Sequence, residues 1–131
     1  MRGLTVSGFL AAILPFVAIQ TAWAEPAYLE VRANSTAVVA ALPSWDGQCR
    51  SNGYPKVHVR GKPGHGRITV ERSSRLAVPA NAGACAGKSV SGAIIRYTPN
   101  RNFQGQDSAV LVVYSPDGKT YFRADVVLQV Q

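Results

Sequence analysis

The chain has 131 residues, with 14 lysines and arginines against 7 acids, a formal net charge of +7. That length holds one small domain with a single core. The charge surplus bears on solubility and on attraction to polyanions rather than on fold, and two histidines with seven scattered acids are a sparse inventory for catalysis or metal chemistry.

The first 24 residues read as an export signal. Arg2 supplies the early positive charge, Gly8 to Ile19 is an apolar run, and Ala22-Trp23-Ala24 places small residues where signal peptidase needs them. A membrane anchor needs roughly 20 apolar residues. This run is shorter, contains Pro15 and turns polar at Gln20-Thr21. The expectation is therefore a leader over 1–24 and one domain over 25–131, exported to the periplasm or secreted, with no transmembrane anchor after cleavage. Loss of Arg2 leaves a net charge of about +6. Cys49 and Cys85 are the only cysteines, and in an exported chain an even count favours a disulfide. No C-x-x-C spacing suggests a redox pair.

Short alternating segments follow, separated by turn residues. Residues 28–32 read as a first strand and 36–42 as a second, stopped by Pro43. Pro43 to Pro55 is irregular, punctuated by Pro, Gly, Ser and Asn. Its Trp45 and Tyr54 would either form an exposed aromatic ledge for a sugar or peptide, or cover the disulfide and cap one end of the core; the second reading suits side chains that bury well with one polar edge wet. Residues 56–60 and 67–72 alternate strictly around a Gly61–Gly66 turn, with Val57, Val59, Ile68 and Val70 inward. Together they are expected to form a hairpin whose outer face carries Lys56, His58, Arg60, Lys62, Arg67 and Arg72. That face is either a polyanion-binding surface or the solvated side of a half-buried sheet.

Residues 73–91 form a second irregular region, with a short strand expected at 76–78. Gly87-Lys88-Ser89 is not a phosphate loop, because the required first glycine falls at Ala82. Strands follow at 92–96 and 109–114, and a Ser115-Pro116-Asp117-Gly118-Lys119 turn leads into a closing strand at 120–130. No segment sustains helical periodicity. The chain reads as all-β, a β-sandwich of about seven strands.

Between the strands at 92–96 and 109–114 stands Tyr97-Thr98-Pro99-Asn100-Arg101-Asn102-Phe103-Gln104-Gly105-Gln106-Asp107-Ser108. Tyr97 and Phe103 suit burial between sheets, Pro99 stops a strand, Gly105 permits unusual backbone, and Asp107 can accept backbone N–H groups. With Gly66-Arg67-Ile68-Thr69-Val70 before it and Ala124 to Val130 after it, this stretch resembles the bacterial immunoglobulin-like and cadherin-like repeat domains. Their pattern is a glycine-led strand, then Y-T-P-N-x-N-F-x-G-x-D-S, then a closing hairpin. The resemblance covers about residues 56–130 well and 27–55 loosely. It implies an immunoglobulin-like Greek-key sandwich acting in adhesion, surface architecture or protein–carbohydrate contact. A single domain with a disulfide and a longer 73–91 loop points to a free-standing member.

Functionally, the expectation is a non-enzymatic exported module that binds protein or glycan in the cell envelope. The alternatives are an envelope-polyanion binder using the 56–72 hairpin, and a small secreted hydrolase. No cofactor is expected. Asp107 as a calcium ligand would need companion oxygens, which Asp46 alone does not supply. His58 and His65 lack a third partner for zinc, so no metal is expected. No stacking or base-reading motif suggests nucleic acid, and no Gly-x-Ser-x-Gly elbow suggests a hydrolase. The disulfide has a direct check: thiol titration of the denatured, unreduced protein should find no free thiol, and two free thiols would refute the bridge.

Overall fold

The computed structural model describes residues 25–131, so the expected leader at 1–24 lies outside the described residues. Strands β1 (Ala27–Val31), β2 (Ala37–Pro43), β3 (Lys56–Gly61), β4 (Gly66–Ala77), β5 (Ser89–Pro99), β6 (Gly105–Tyr114) and β7 (Tyr121–Val130) account for the regular structure, together with one 3-10 turn at Gly83–Cys85. They form two sheets, ordered β1-β7-β6-β3 and β2-β5-β4. β1 runs parallel to β7, and the other pairs are antiparallel. The protein is thus all-β with two sheets, compatible with a β-sandwich.

Alternation produces the core. Leu111 from β6 and Val126, Leu128 and Val130 from β7 meet Ile95 and Tyr97 from β5, all at most 3% exposed. Val57 and Val59 of β3 and Ile68 of β4 pack against this cluster. β6 and β7 pair without interruption from Gly105–Val130 to Tyr114–Tyr121. The Asp117 carboxylate closes their turn by accepting from the Lys119 N–H at 2.9 Å and the Ser115 hydroxyl at 2.6 Å.

The structure corrects two expectations and sharpens a third. β3 and β4 do not form a hairpin: β3 pairs with β6 in one sheet and β4 with β5 in the other. The short turn after Gly61 crosses from one sheet to the other. Strict alternation around a glycine-rich turn is common to both arrangements, so the local pattern does not distinguish them. Val70 shares the inner face with Ile95, its partner in the register, yet stays 42% exposed; β4 is an edge strand with a neighbour on one side only. The irregular region is also shorter than 73–91. β4 continues to Ala77 through a register shift between Ser73 and Leu76, and β5 begins at Ser89. The polar run Glu71 to Arg75 hides this extension, because an edge strand needs little apolar alternation to hold its ladder.

The 97–108 stretch passes from the three-stranded to the four-stranded sheet. Asp107, 6% exposed, is its centre. One carboxylate oxygen accepts from the N–H groups of Gly64 and Ser108, each at 2.9 Å. The other accepts from the His65 N–H at 3.0 Å and the Tyr97 hydroxyl at 2.7 Å. Gly66 lets this end close: a Cβ there would lie 2.7 Å from the Tyr97 ring and 2.6 Å from the Thr98 carbonyl oxygen. Phe103 stacks on the His65 ring with centroids 4.3 Å apart. Pro99 is buried at the end of β5, and Gly105 holds a φ of +132°.

Burial alone pushes the Asp107 carboxyl up. The Tyr97 hydroxyl and the N–H groups of Ser108, His65 and Gly64 outweigh it and hold the carboxyl below the usual aspartate range. A depressed native value gives stability that is complete above the unfolded value of about 3.9 and lost as pH falls through the native value. Asp107→Asn should cost roughly 2 kcal/mol at neutral pH, and thermal melts should show the gap to wild type closing below about pH 4. A gap independent of pH would contradict this account.

Candidate functional site

The opposite end of the molecule is built from loops. Asp46 organises the first, accepting from the Gln48 N–H at 2.9 Å and from the Arg50 N–H and Nε at 3.0 and 3.1 Å. The Arg50 N–H first of all, helped by the Gln48 N–H and the Arg50 charge, holds this carboxyl below its ordinary value despite the opposing effect of desolvation. Trp45 and Ser51 bridge across the loop. Cys49 takes a φ of +63° and joins Cys85, with Cα atoms 5.2 Å apart and a sequence separation of 36. Cys85 lies in the 3-10 turn and is buried with Val78 and Val90, and Trp45, Cys49 and Ala82 pack against that trio. Ser91 of β5 also ties the first loop down: its carbonyl accepts from the Ser44 N–H, its N–H donates to the Ser51 hydroxyl and its own hydroxyl donates to the Gly53 carbonyl, each at 2.9 Å.

Between these loops and the β6–β7 turn lies a groove of about 590 Å³. Pro43 lines it from the end of β2, Trp45 from the first loop, Pro55 from the entry to β3, and Pro79 from the second loop. Tyr114 and Pro116 line it from the end of β6 and the turn, and Tyr121 and Phe122 from the start of β7. No lysine, arginine, histidine, aspartate, glutamate or cysteine is among its lining residues. Tyr121 is 70% and Phe122 54% exposed, so the mouth presents aromatic surface to solvent. Four prolines preset their backbones, which limits the ordering cost when a ligand enters.

The sequence-based site residues are dispersed. Trp45 lines the groove and also packs on the satellite core. Tyr54 stands apart from the groove lining, under the Arg72 guanidinium at 4.9 Å from its ring centroid. They form no common ledge. Lys56, His58 and Arg60 alternate outward on β3, and the His58 ring meets Tyr114 edge-on at 5.2 Å. Lys62 and Arg67 flank a small hollow at the β3–β4 crossover. The six basic candidates therefore fall in three places, because the hairpin expected to gather them does not exist. Tyr97, Pro99, Phe103, Gly105 and Asp107 lie at the far end from the groove and shape the fold there. Among the described residues no group of three or more His, Cys, Asp or Glu could hold a metal ion. No described helix is long and apolar enough to cross a membrane.

No family model and no curated protein matches the chain. Among solved structures the chain is similar to the solution structure of Amebosin, at 15% identity and a TM-score of 0.49, covering 79% of this chain and 88% of that one. At that level the likeness carries no argument.

Tyr114, Pro116, Tyr121 and Phe122 were missed as site residues because each belongs to an ordinary strand or turn. Only the folding of β6 and β7 against the two loops brings them to one cavity. Tyr121 and Phe122 at the start of an otherwise alternating strand were the available signal, since consecutive aromatics put one ring on each face.

The disulfide should matter most at this end. Replacing Cys49 and Cys85 with serine removes a constraint worth roughly 4 kcal/mol for a loop of this size. Hydrogen exchange should then speed up across residues 44–53 and 79–88 while the β6–β7 ladder stays the slowest to exchange. Uniform loss of protection would show instead that the two loops are not a separable unit.

Proposed function

We propose that this chain is an exported, non-enzymatic immunoglobulin-like module that binds a protein or glycan partner through the groove. The groove itself is the observation that carries the reading: an uncharged, aromatic- and proline-walled concavity assembled from four chain segments on a two-sheet frame. Binding sites of this kind are apolar clefts with a few polar groups to orient the ligand. Ser44, Ser115 and Thr120 supply hydroxyls here. The lining has no histidine, acid or thiol to act as base or nucleophile, which supports binding rather than turnover.

The order of the sheets supports a Greek-key, immunoglobulin-like or cadherin-like topology. The chain changes sheet at β1–β2, β2–β3, β3–β4 and β5–β6, and makes local hairpins at β4–β5 and β6–β7. The disulfide is compatible with an oxidising compartment and supports export.

Trp45 is the only tryptophan in residues 25–131, so its fluorescence reports on the groove. Titration with a neutral oligosaccharide series and with proline-rich peptides should give a saturable change in Trp45 emission for one class. Phe122→Ala should weaken that binding about tenfold or more while leaving the melting temperature within a few degrees. Binding unaffected by Phe122→Ala, or no saturable response from either class, would remove the groove as the functional surface.

A further inference from the structure

The solvent face of the four-stranded sheet carries a second cleft. β3, β6 and β7 lie side by side. Alternation puts residues 56, 58 and 60 of β3, 110, 112 and 114 of β6, and 121, 123 and 125 of β7 on that face. The register aligns Lys56 with Tyr114 and Tyr121, and His58 with Val112 and Arg123. Val112 points away from the core yet is only 6% exposed. Arg60, Arg123, Tyr114 and Tyr121 stand around Val110 and Val112 and enclose a cleft of about 340 Å³.

Backbone geometry and charge both favour a built site. Val59 pairs with Leu111 and Gly61 with Val110, so Arg60 is the extra residue of a β-bulge. Bulges re-aim a side chain and gather beside functional sites. Gly61 permits the close approach, since a Cβ there would come within 3.2 Å of the Val110 side chain. Arg60 has no carboxylate partner among the described residues, whereas Arg50, Arg96 and Arg123 pair with Asp46, Glu71 and Asp125. Arg123 uses only its Nε for that pair, at 3.0 Å. Its terminal nitrogens have no protein acceptor among the described residues.

We propose that this cleft binds the carboxylate-bearing ring of an acidic, uronate-type glycan. The carboxylate sits between the Arg60 and Arg123 guanidiniums, which suit planar bidentate recognition. The apolar face of the sugar lies on the valine floor and against Tyr121. The two arginines stand on strands two apart, about 10 Å at the ordinary strand spacing, which leaves room for one ring and its charge. Tyr114 and Tyr121, with centroids 5.6 Å apart and planes 41° from parallel, form an angled wall rather than a flat stack. An acidic peptide fits less well. The valine floor belongs to β6, which is paired on both sides and has no free backbone groups to hold a peptide; the nearest free edge of this sheet is that of β3, at the side of the cleft.

The test is titration of isotopically labelled protein with trigalacturonate, its methyl ester and an oligoglutamate of matching charge, followed by amide chemical shifts. Trigalacturonate should saturate and move the amides of 58–61, 110–114 and 121–125, with the uncharged ester at least about tenfold weaker. Arg60→Ala, Arg123→Gln and Tyr121→Ala should each weaken it about tenfold. Arg67→Ala on the other sheet and Trp45→Ala in the groove should leave it unchanged, so this site can fail or succeed apart from the groove. If Arg60→Ala disturbs the bulge, as a lowered melting temperature would show, Arg60→Gln and Arg123→Gln decide the matter. Absence of saturable uronate binding overturns the proposal. So does equal binding of the methyl ester, or an affinity for oligoglutamate that matches the uronate and ignores Tyr121→Ala.

Discussion

A single buried carboxylate holds the two sheets together at one end. Asp107 belongs to β6 in the four-stranded sheet, and its Tyr97 partner to β5 in the three-stranded sheet. The Gly64 and His65 N–H groups belong to the crossover that carries the chain between the sheets after β3. Taking a carboxylate out of water costs several kcal/mol unless its lone pairs are satisfied. Four donors at 2.7 to 3.0 Å satisfy them here. The same contact works on the tyrosine: burial first, then the hydrogen bond to Asp107 and its charge, push the Tyr97 phenol up, so it stays a donor through the whole physiological range. Hydrophobic burial has no direction. This node supplies one, because its donors are satisfied only when β5, β6 and the crossover meet in one arrangement.

Among the described residues the other end has no buried charge; buried Ser91 of β5 ties the first loop down through Ser44, Ser51 and Gly53, and a covalent bond joins that loop to the second. The loops after β2 and β4 bury Val78 and Cys85 against Val90 of β5, with Trp45, Cys49 and Ala82 packed on them. That cluster is too small to order two irregular segments against their backbone entropy, about 1–2 kcal/mol per residue. Closing the chain between Cys49 and Cys85 lowers the entropy of the unfolded state instead. The loops can then be irregular without being loose, and irregular backbone rich in proline is what leaves a concavity. The groove follows from how this end is stabilised, since a better-packed end would have filled it.

Much of this was legible in the sequence where contacts are local or covalent. The turn chemistry of Asp117 and Gly118 announces the β6–β7 hairpin, and the inward residues of β7 follow from period two. The cysteine count reaches the disulfide, and the spacing of Tyr97, Phe103, Gly105 and Asp107 marks a fold-defining corner. Strand pairing across long sequence separation was not legible. Nothing between Lys56 and Arg72 shows that β3 and β4 leave each other for separate sheets, and the basic face drawn from that hairpin dissolved with it. The two surfaces described here share that difficulty. The groove draws on four segments, and the Arg60 cleft depends on a bulge that appears only once β3 is laid against β6.

Tyr114 and Tyr121 line both surfaces. They form the last pair of the β6–β7 ladder before the turn, where the sheet face meets the loop end. The turn beyond them is fixed by Asp117, whose carboxyl is held below its ordinary value first by the Ser115 hydroxyl and then by the Lys119 N–H. Positions of the two rings are thus set by a ladder with no register shift and a turn with its own hydrogen bonds. Neither surface would keep its shape if that hairpin end frayed. The uncharged groove and the arginine cleft differ in chemistry, yet they share the two tyrosine rings as a common wall, so a change at either ring reaches both.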